Sequence, residues 1–207
     1  MDIRVCDQLE ILDLCQRYHS YKTAGSYSAY CFGVYEQDRL VAAYSWMPPA
    51  LGAAKSVCPE APQGVLALSR MVAVPREERL LRHVSKPLRI QMRRLIDRGR
   101  WPVLVTYSDE GAGHTGHVYK CSGWHKTERR RRPVYTDNSG VRQSVVDGRY
   151  LTLSGYTWLQ RWEHWVCDSG TVNLWMESHG WYREPIPGKV WRSGNQAYRY
   201  VQREVGV

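Results

Sequence analysis

The sequence predicts an α+β domain in which helices flank one central mixed β-sheet, with a tryptophan-rich C-terminal extension. Three observations predict it. Short apolar runs bounded by turn residues recur through the first half: CFGVYEQ, LVAAYSWM, VLALSRMVAV and WPVLVTY. One long segment, Ser85 to Gly99, is patterned at helical spacing instead. From about residue 133 the composition shifts, and six of the nine tryptophans fall there.

In chain order, Leu9, Leu12 and Cys15 recur at helical spacing after Val5 and predict a first helix of about a dozen residues. RYHSYKTAGSYSAY reads as a loop. CFGVYEQ and LVAAYSWMPP, separated by Gln37-Asp38-Arg39, predict an antiparallel hairpin that ends at Pro48-Pro49. Residues 50–64 read as a Gly-, Pro- and Ala-rich connection, and VLALSRMVAVP as a strand stopped by Pro75. Ser85 is an acceptable N-cap, and Pro87 fits a first helical turn because its missing N–H costs nothing there. Leu88, Met92, Leu95 and Ile96 form the apolar stripe of that helix, with Arg89, Arg93 and Arg94 beside it and Gly99 past its end. WPVLVTY is the next strand and opens into YSDEGAGHTGHVYKCSGW, which holds a short helix ahead of a further strand. Residues 1–135 are expected to form the core. Residues 136–207 complete the sheet, in the same domain or as a small appendage. Within them Trp158, Trp162 and Trp165 stand at helical spacing, DNSGVRQ and REPIPGK are turn-rich, and AYRYVQREV is a final strand. The three tryptophans are expected to form a satellite core rather than a stacking platform.

Composition narrows the function classes. A chain of 207 residues with 43% hydrophobic content can bury a core. No run approaches the ~20 apolar residues of a membrane span. MDIRVCDQLEILDLC lacks the form of a signal peptide, so the expected location is the cytoplasm. Cys6, Cys15, Cys31, Cys58, Cys121 and Cys167 are scattered without a CxxC pair, which argues against a zinc ribbon and for buried free thiols. Between Arg76 and Arg132 stand 15 Lys or Arg against 6 Asp or Glu, so this stretch supplies the whole net charge of +9. Such concentration suggests a polyanionic partner; a solvated helical face is the plainer alternative.

The order of elements is similar to the GNAT acyltransferase fold, an analogy that says little about substrate. Three stretches are more specific: His19-Ser20-Tyr21-Lys22, Leu68-Ser69-Arg70-Met71-Val72, and TYSDEGAGHTGHVYKCSGW. Together they resemble the Mom family of GNAT-like phage DNA-modification proteins, over roughly residues 5–125. That resemblance implies an enzyme, a transferase that converts adenine in double-stranded DNA to a carbamoylmethyl-adenine on its exocyclic amine and so protects phage DNA from host restriction. It also implies functional roles for Arg70, Ser85 and Asp109, and for His19 and Tyr21 near the family's early His/Tyr motif. In an infected cell the place of action is the host cytoplasm.

The residues carry a chemical reading beside the resemblance. A CoA-dependent GNAT enzyme has a glycine-containing loop whose N–H groups cradle pyrophosphate. Here the corresponding stretch, VAVPREERLLRHVSKP, has no glycine. A helix start with Ser85, Arg82 and Lys86 still suits a phosphate or carboxylate. Glycyl-tRNA is therefore the expected donor, with acetyl-CoA as the alternative. Asp109 is expected to position the adenine amine, with a helix cap as its plain reading. Arg70 polarises the donor carbonyl, holds a ribose-phosphate, or makes a structural ion pair. His114 and His117 could share a helix face and bind metal with His19 or Asp109; hydrogen-bonding or substrate-contact roles are preferred, and the metal requirement stays open. Tyr107, Ser108, Tyr119, Tyr44 and Trp46 are candidates to line the pocket of a base flipped from the duplex, or are ordinary core. Arg129, Arg130, Arg131 and Arg132, with Arg89, Arg93 and Arg94, are expected to contact phosphates of DNA or tRNA.

Two other classes compete with this reading. One is a CoA-dependent N-acetyltransferase of a small amine or protein. The other is a non-enzymatic basic DNA-binding protein, although no helix-turn-helix or zinc-finger signature is present.

Overall fold

The computed structural model describes residues 1–22, 28–143, 151–190 and 196–203. It begins with a short strand, β1 (Asp2–Val5), and helix α1 (Gln8–Tyr18). Asp7 caps α1: its carboxylate accepts from the Leu9 N–H, and Glu10 returns the bond to the Asp7 N–H. The buried face of α1 is Ile11, Leu14 and Cys15, not the expected stripe through Leu9, which is exposed. The hairpin follows as β2 (Tyr30–Glu36) and β3 (Arg39–Met47), with Glu36 opposite Arg39. Its two-residue turn sets both Gln37 and Asp38 at positive φ, the geometry that matches the twist of the strands.

Helix α2 (Leu51–Val57) occupies part of the stretch expected to be a loop, and buries Ala54 and Val57. Next come β4 (Val65–Ala73), helix α3 (Ser85–Ile96), β5 (Val103–Asp109) and the short helix α4 (His117–Cys121). Ser85 is the first residue inside α3 and not its cap, which falls on Val84 without a side-chain bond. Leu88, Met92 and Leu95 are buried as the stripe predicts.

Beyond Trp124 the chain forms a long ribbon, β6 (His125–Thr136) and β8 (Thr152–Trp165), with a two-residue strand β7 (Arg142–Gln143) between them in sequence. The helical spacing of Trp158, Trp162 and Trp165 is therefore misleading, because all three lie on β8. Strand alternation puts Trp158 and Trp162 on one face and Trp165 on the other. Trp162 is buried in the main core, Trp165 packs on a second apolar cluster and Trp158 is exposed, so the three do not form a satellite core. Helix α5 (Val172–Ser178) and strands β9 (Trp181–Val190) and β10 (Gln196–Gln202) end the described chain. REPIPGK, expected to be turns, lies within β9. Residues 204 and 205 of the expected final strand lie outside the described residues.

The main sheet has the order β1-β2-β3-β4-β5-β8-β6-β7, and β9–β10 form a separate two-stranded sheet. Among the described residues only β4 and β5 pair in parallel, so the sheet is mixed. Strand β8 enters between β5 and β6, which brings the C-terminal part into the central sheet. The cysteines are free; Cys6, Cys15 and Cys58 are buried as expected, whereas Cys121 is exposed. Among the described residues no helix is long and apolar enough to cross a membrane.

Candidate active site

The parallel ladder of β4 and β5 lasts for three pairs, from Val65 opposite Val103 to Ala67 opposite Val105. A last link follows, from the Thr106 hydroxyl to the Leu68 carbonyl at 3.0 Å. Beyond it the strands leave room for a cavity of about 470 Å³ lined by both strands. Ligand sites of α/β sheets commonly lie beyond the carboxyl ends of parallel strands, and this one does.

Asp109, the last residue of β5, is 4% exposed and faces this cavity. Its Oδ2 accepts from the Tyr21 hydroxyl at 2.9 Å and from Arg142 Nη1 at 3.3 Å, and its Oδ1 accepts from the Thr157 hydroxyl. Three separate stretches of chain thus hold one buried carboxylate, as a charge removed from water requires. The neighbouring backbone joins the network: the Gly111 N–H donates to Thr157 Oγ1 at 3.0 Å, and Arg142 Nη2 donates to the Gly111 carbonyl at 3.0 Å. A Cβ on Gly111 would stand 2.5 Å from Thr157 Oγ1, so glycine lets the two approach. Asp109 makes no side-chain cap bond to the turn that follows, which removes the plain capping reading.

His19 and Tyr21, just after α1, form the adjoining wall. The Tyr21 backbone N–H donates to His19 Nδ1 at 3.0 Å, which fixes the ring. Burial, with help from nearby Arg70, pushes the His19 imidazole down to about 4, so it is neutral at pH 7. Burial and the bond to Asp109 raise the Tyr21 phenol, which keeps it a hydrogen-bond donor. Arg70, on β4, donates to the Ser69 carbonyl at 2.7 Å and lies 5.8 Å from the Tyr21 ring centre. Burial lowers its guanidinium from the ordinary value, and nearby Arg132 adds to that.

The basic run lies on β6, and strand alternation divides it. Arg130 and Arg132 face the cavity, opposite Leu159 and Thr157 on β8. Arg130 also sits 4.8 Å over the Tyr107 ring. Arg129 and Arg131 point to the other face of the sheet. Half of what the sequence suggested as a uniform phosphate-binding patch therefore belongs to the cavity wall.

Other expected residues separate into groups. Tyr107, His114, His117 and Tyr119 line the cavity. His114 precedes α4, which begins at His117, so the two do not share a helix face. Among the described residues no cluster of His, Cys, Asp or Glu could hold a metal ion. Ser108 points away and accepts from the Trp162 indole at 2.9 Å. Tyr44 and Trp46 are core residues and do not line the cavity: they are fully buried, and bond to the Val84 carbonyl at 2.8 Å and to Gln91 at 3.2 Å. The glycines around His114 do not all serve the ligand, since Gly116, at φ 73°, packs where a Cβ would stand 2.3 Å from Trp162.

Ser85, Arg82, Lys86 and Arg89 line a second cavity of about 580 Å³ at the start of α3, separate from Asp109, Arg70, His19 and Tyr21. Arg93 and Arg94 lie exposed on the same helix, and Arg94 also donates to the Ile3 carbonyl at 3.0 Å. Sequence reasoning missed Arg142 and Thr157, which sit about 33 and 48 residues from Asp109 and belong to no local motif.

The model of the Mom protein family matches residues 1–162. A comparison with curated proteins gives no match. Among solved structures, ribosomal-protein-alanine N-acetyltransferase from Brucella melitensis is similar at a TM-score of 0.51 and 13% identity, covering 80% of this chain and 99% of that one. An N-acetyltransferase from Staphylococcus aureus Mu50 is similar at 0.52 and 12%, covering 80% and 98%. A mutant agmatine N-acetyltransferase without ligand is similar at 0.52 and 11%, covering 79% and 98%. At such identities the likeness concerns the fold, which is the GNAT acyltransferase fold.

Proposed function

Because this chain belongs to the Mom protein family, we propose that it is a transferase that modifies the exocyclic amine of adenine in double-stranded DNA. The product is carbamoylmethyl-adenine and the consequence is protection from restriction. The observation that carries this reading is Asp109, held by Tyr21, Thr157 and Arg142 at a cavity whose other walls include Arg70, Arg130 and Arg132.

A carboxylate offers about four lone-pair positions. Three are taken by Tyr21, Thr157 and Arg142. The remaining one, on Oδ1, accepts an N–H of the adenine amine and orients its attack. Adenine's amine is a poor nucleophile, because its lone pair is delocalised into the ring, so orientation and charge stabilisation are what the site must supply. Arg70 meets the oxygen charge that develops on the donor carbonyl. His19 is neutral, and its Nδ1 lies within 3.1 Å of both the N–H and the carbonyl of Tyr21, which leaves Nε2 as the ring nitrogen available to substrate. Tyr107 and Tyr119 supply apolar walls for a base extruded from the helix.

The donor in this reading is a glycyl ester of tRNA. The adenine nitrogen attacks the ester carbonyl, the ribose oxygen leaves with the proton lost by the amine, and glycyl-adenine forms. The glycyl amine then adds to the purine carbon through a five-membered ring, and the original nitrogen departs as the amide. Glycyl-adenine and carbamoylmethyl-adenine are isomers, so no redox partner enters. The glycine-free stretch before α3 and the basic residues Arg82 and Lys86 at the second cavity support a phosphate-bearing donor held by side chains. Phosphates of the duplex meet the exposed Arg89, Arg93 and Arg94.

Mass analysis of nucleosides after incubation of the protein with duplex DNA and glycyl-tRNA tests the proposal. A deoxyadenosine heavier by one glycyl residue is expected. Modification with acetyl-CoA in place of glycyl-tRNA would favour the CoA-dependent reading, and unmodified DNA with both donors would overturn the enzymatic one.

A further inference from the structure

The face of the β6–β8 ribbon turned away from the cavity carries a second, different array. Arg129 stands opposite Gln160 and Arg131 opposite Trp158, so their side chains share the outer face with Trp158 and Tyr156. The guanidinium of Arg129 lies 4.4 Å over the Trp158 ring, and that of Arg131 lies 3.9 Å over the Tyr156 ring. Glu110 grips Arg129 through two bonds, at 3.1 and 2.5 Å, and so holds that guanidinium in place. Both rings remain open to solvent: Trp158 is 43% exposed and Tyr156 is 55% exposed. Two aromatic planes, two residues apart on one strand and each paired with a cation, form a short stacking ladder.

We infer that this ladder binds the unpaired 3′-terminal segment of the RNA donor, two successive bases stacking on Trp158 and Tyr156. The inference deepens the proposed function and rests on its choice of an RNA ester as donor. Bases inside a duplex present only their edges to a protein, so outward-facing rings suit unstacked bases. A duplex with one extruded adenine offers one orphan base opposite it, whereas two rings in series require two consecutive unstacked bases. A single-stranded RNA end supplies them. The position on the sheet is also suitable. Among the described residues β7 pairs with β6 only at Tyr135 and Thr136, so the edge at Arg129 to Arg132 is open on that side. A single strand can lie on the outer face and turn around this edge, past Arg130 and Arg132, to place its terminal ester in the cavity.

Fluorescence anisotropy of a short single-stranded RNA ending in 3′-CCA tests the ladder, with a duplex DNA of similar length as the second probe. Replacing both rings, as Trp158→Ala with Tyr156→Ala, should weaken RNA binding on the order of 10-fold or more and leave duplex binding unchanged. The variant with both replaced by Phe should retain RNA affinity, because flat rings are kept. Unchanged RNA affinity in the alanine variant would overturn the inference, as would an equal loss on RNA and duplex. Binding is read without DNA modification, so the two proposals fail separately: an absent glycyl product leaves the RNA result standing, and intact RNA binding leaves the product standing.

Discussion

The cavity at Asp109 draws its walls from stretches spread between His19 and Leu159, whereas the cavity at the start of α3 is lined largely by residues 80–89. The first is a convergence of distant chain segments on one buried carboxylate. The second is a local run of basic side chains on a loop and a helix start. In the convergent cavity one substitution disturbs several partners at once, because Thr157 and Arg142 each touch both Asp109 and Gly111. In the local cavity the basic side chains stand apart from one another, beside Leu80, Leu81 and a Glu36 carboxylate that accepts from the Leu80 and Leu81 N–H groups. Precise placement, the need of a reacting centre, comes from the first kind of construction, while the second suits general attraction of an anionic donor.

Asp109→Asn tests that contrast most severely. Loss of the charge proposed to orient the amine should lower the modification rate about 100- to 1000-fold, with the circular dichroism spectrum unchanged. A variant with full activity would show that the convergence is merely structural. Replacing Arg82 and Lys86 together by Ala should act on donor binding alone, raising KM for the donor about 10-fold at unchanged kcat. If kcat fell instead, the two cavities could not be assigned these separate roles. Thr157→Val keeps the shape and removes the hydroxyl that joins Asp109 to the Gly111 N–H. A loss of about 1–3 kcal/mol in chemical denaturation is expected, and a wild-type midpoint would count against the network.

A further effect concerns pH. The folded protein holds His19 at about 4, below the ordinary 6.5 of an imidazole. The unfolded chain therefore binds more protons between these values, and stability falls as pH drops from 6.5 towards 4. Above 6.5 His19 is neutral in both states and contributes no slope. Denaturation midpoints at pH 7, 5.5 and 4.5 should decline less steeply in His19→Gln than in wild type; parallel declines would mean that the imidazole is not buried as described.

The contrast also explains what could be read from the sequence. Short apolar runs bounded by turn residues pointed to β2 to β5, the stripe Leu88, Met92 and Leu95 to α3, and the motif around Asp109 to the carboxylate that lines the candidate cavity. These signals are local. Arg142 and Thr157 were invisible because their roles depend on β8 entering beside β5, with Asp109 opposite Leu159. Trp158, Trp162 and Trp165 misled because spacings of four and three suit a helix face, and nothing nearby in sequence reports that the segment is a strand. Ser85 misled by one position, since Pro87 marks the first turn without fixing its first residue.

Insertion of β8 between β5 and β6 has a consequence for the order of events during synthesis. Asp109 leaves the ribosome well before Thr157, and a nascent chain ending at residue 135 has Tyr21 but neither Arg142 nor Thr157. The edge of β5 then waits for a partner some fifty residues further on, a long-range closure of the kind that slows folding. Until that closure the carboxylate lacks two of its three clamps, so the candidate site is assembled only after residue 157 has been made.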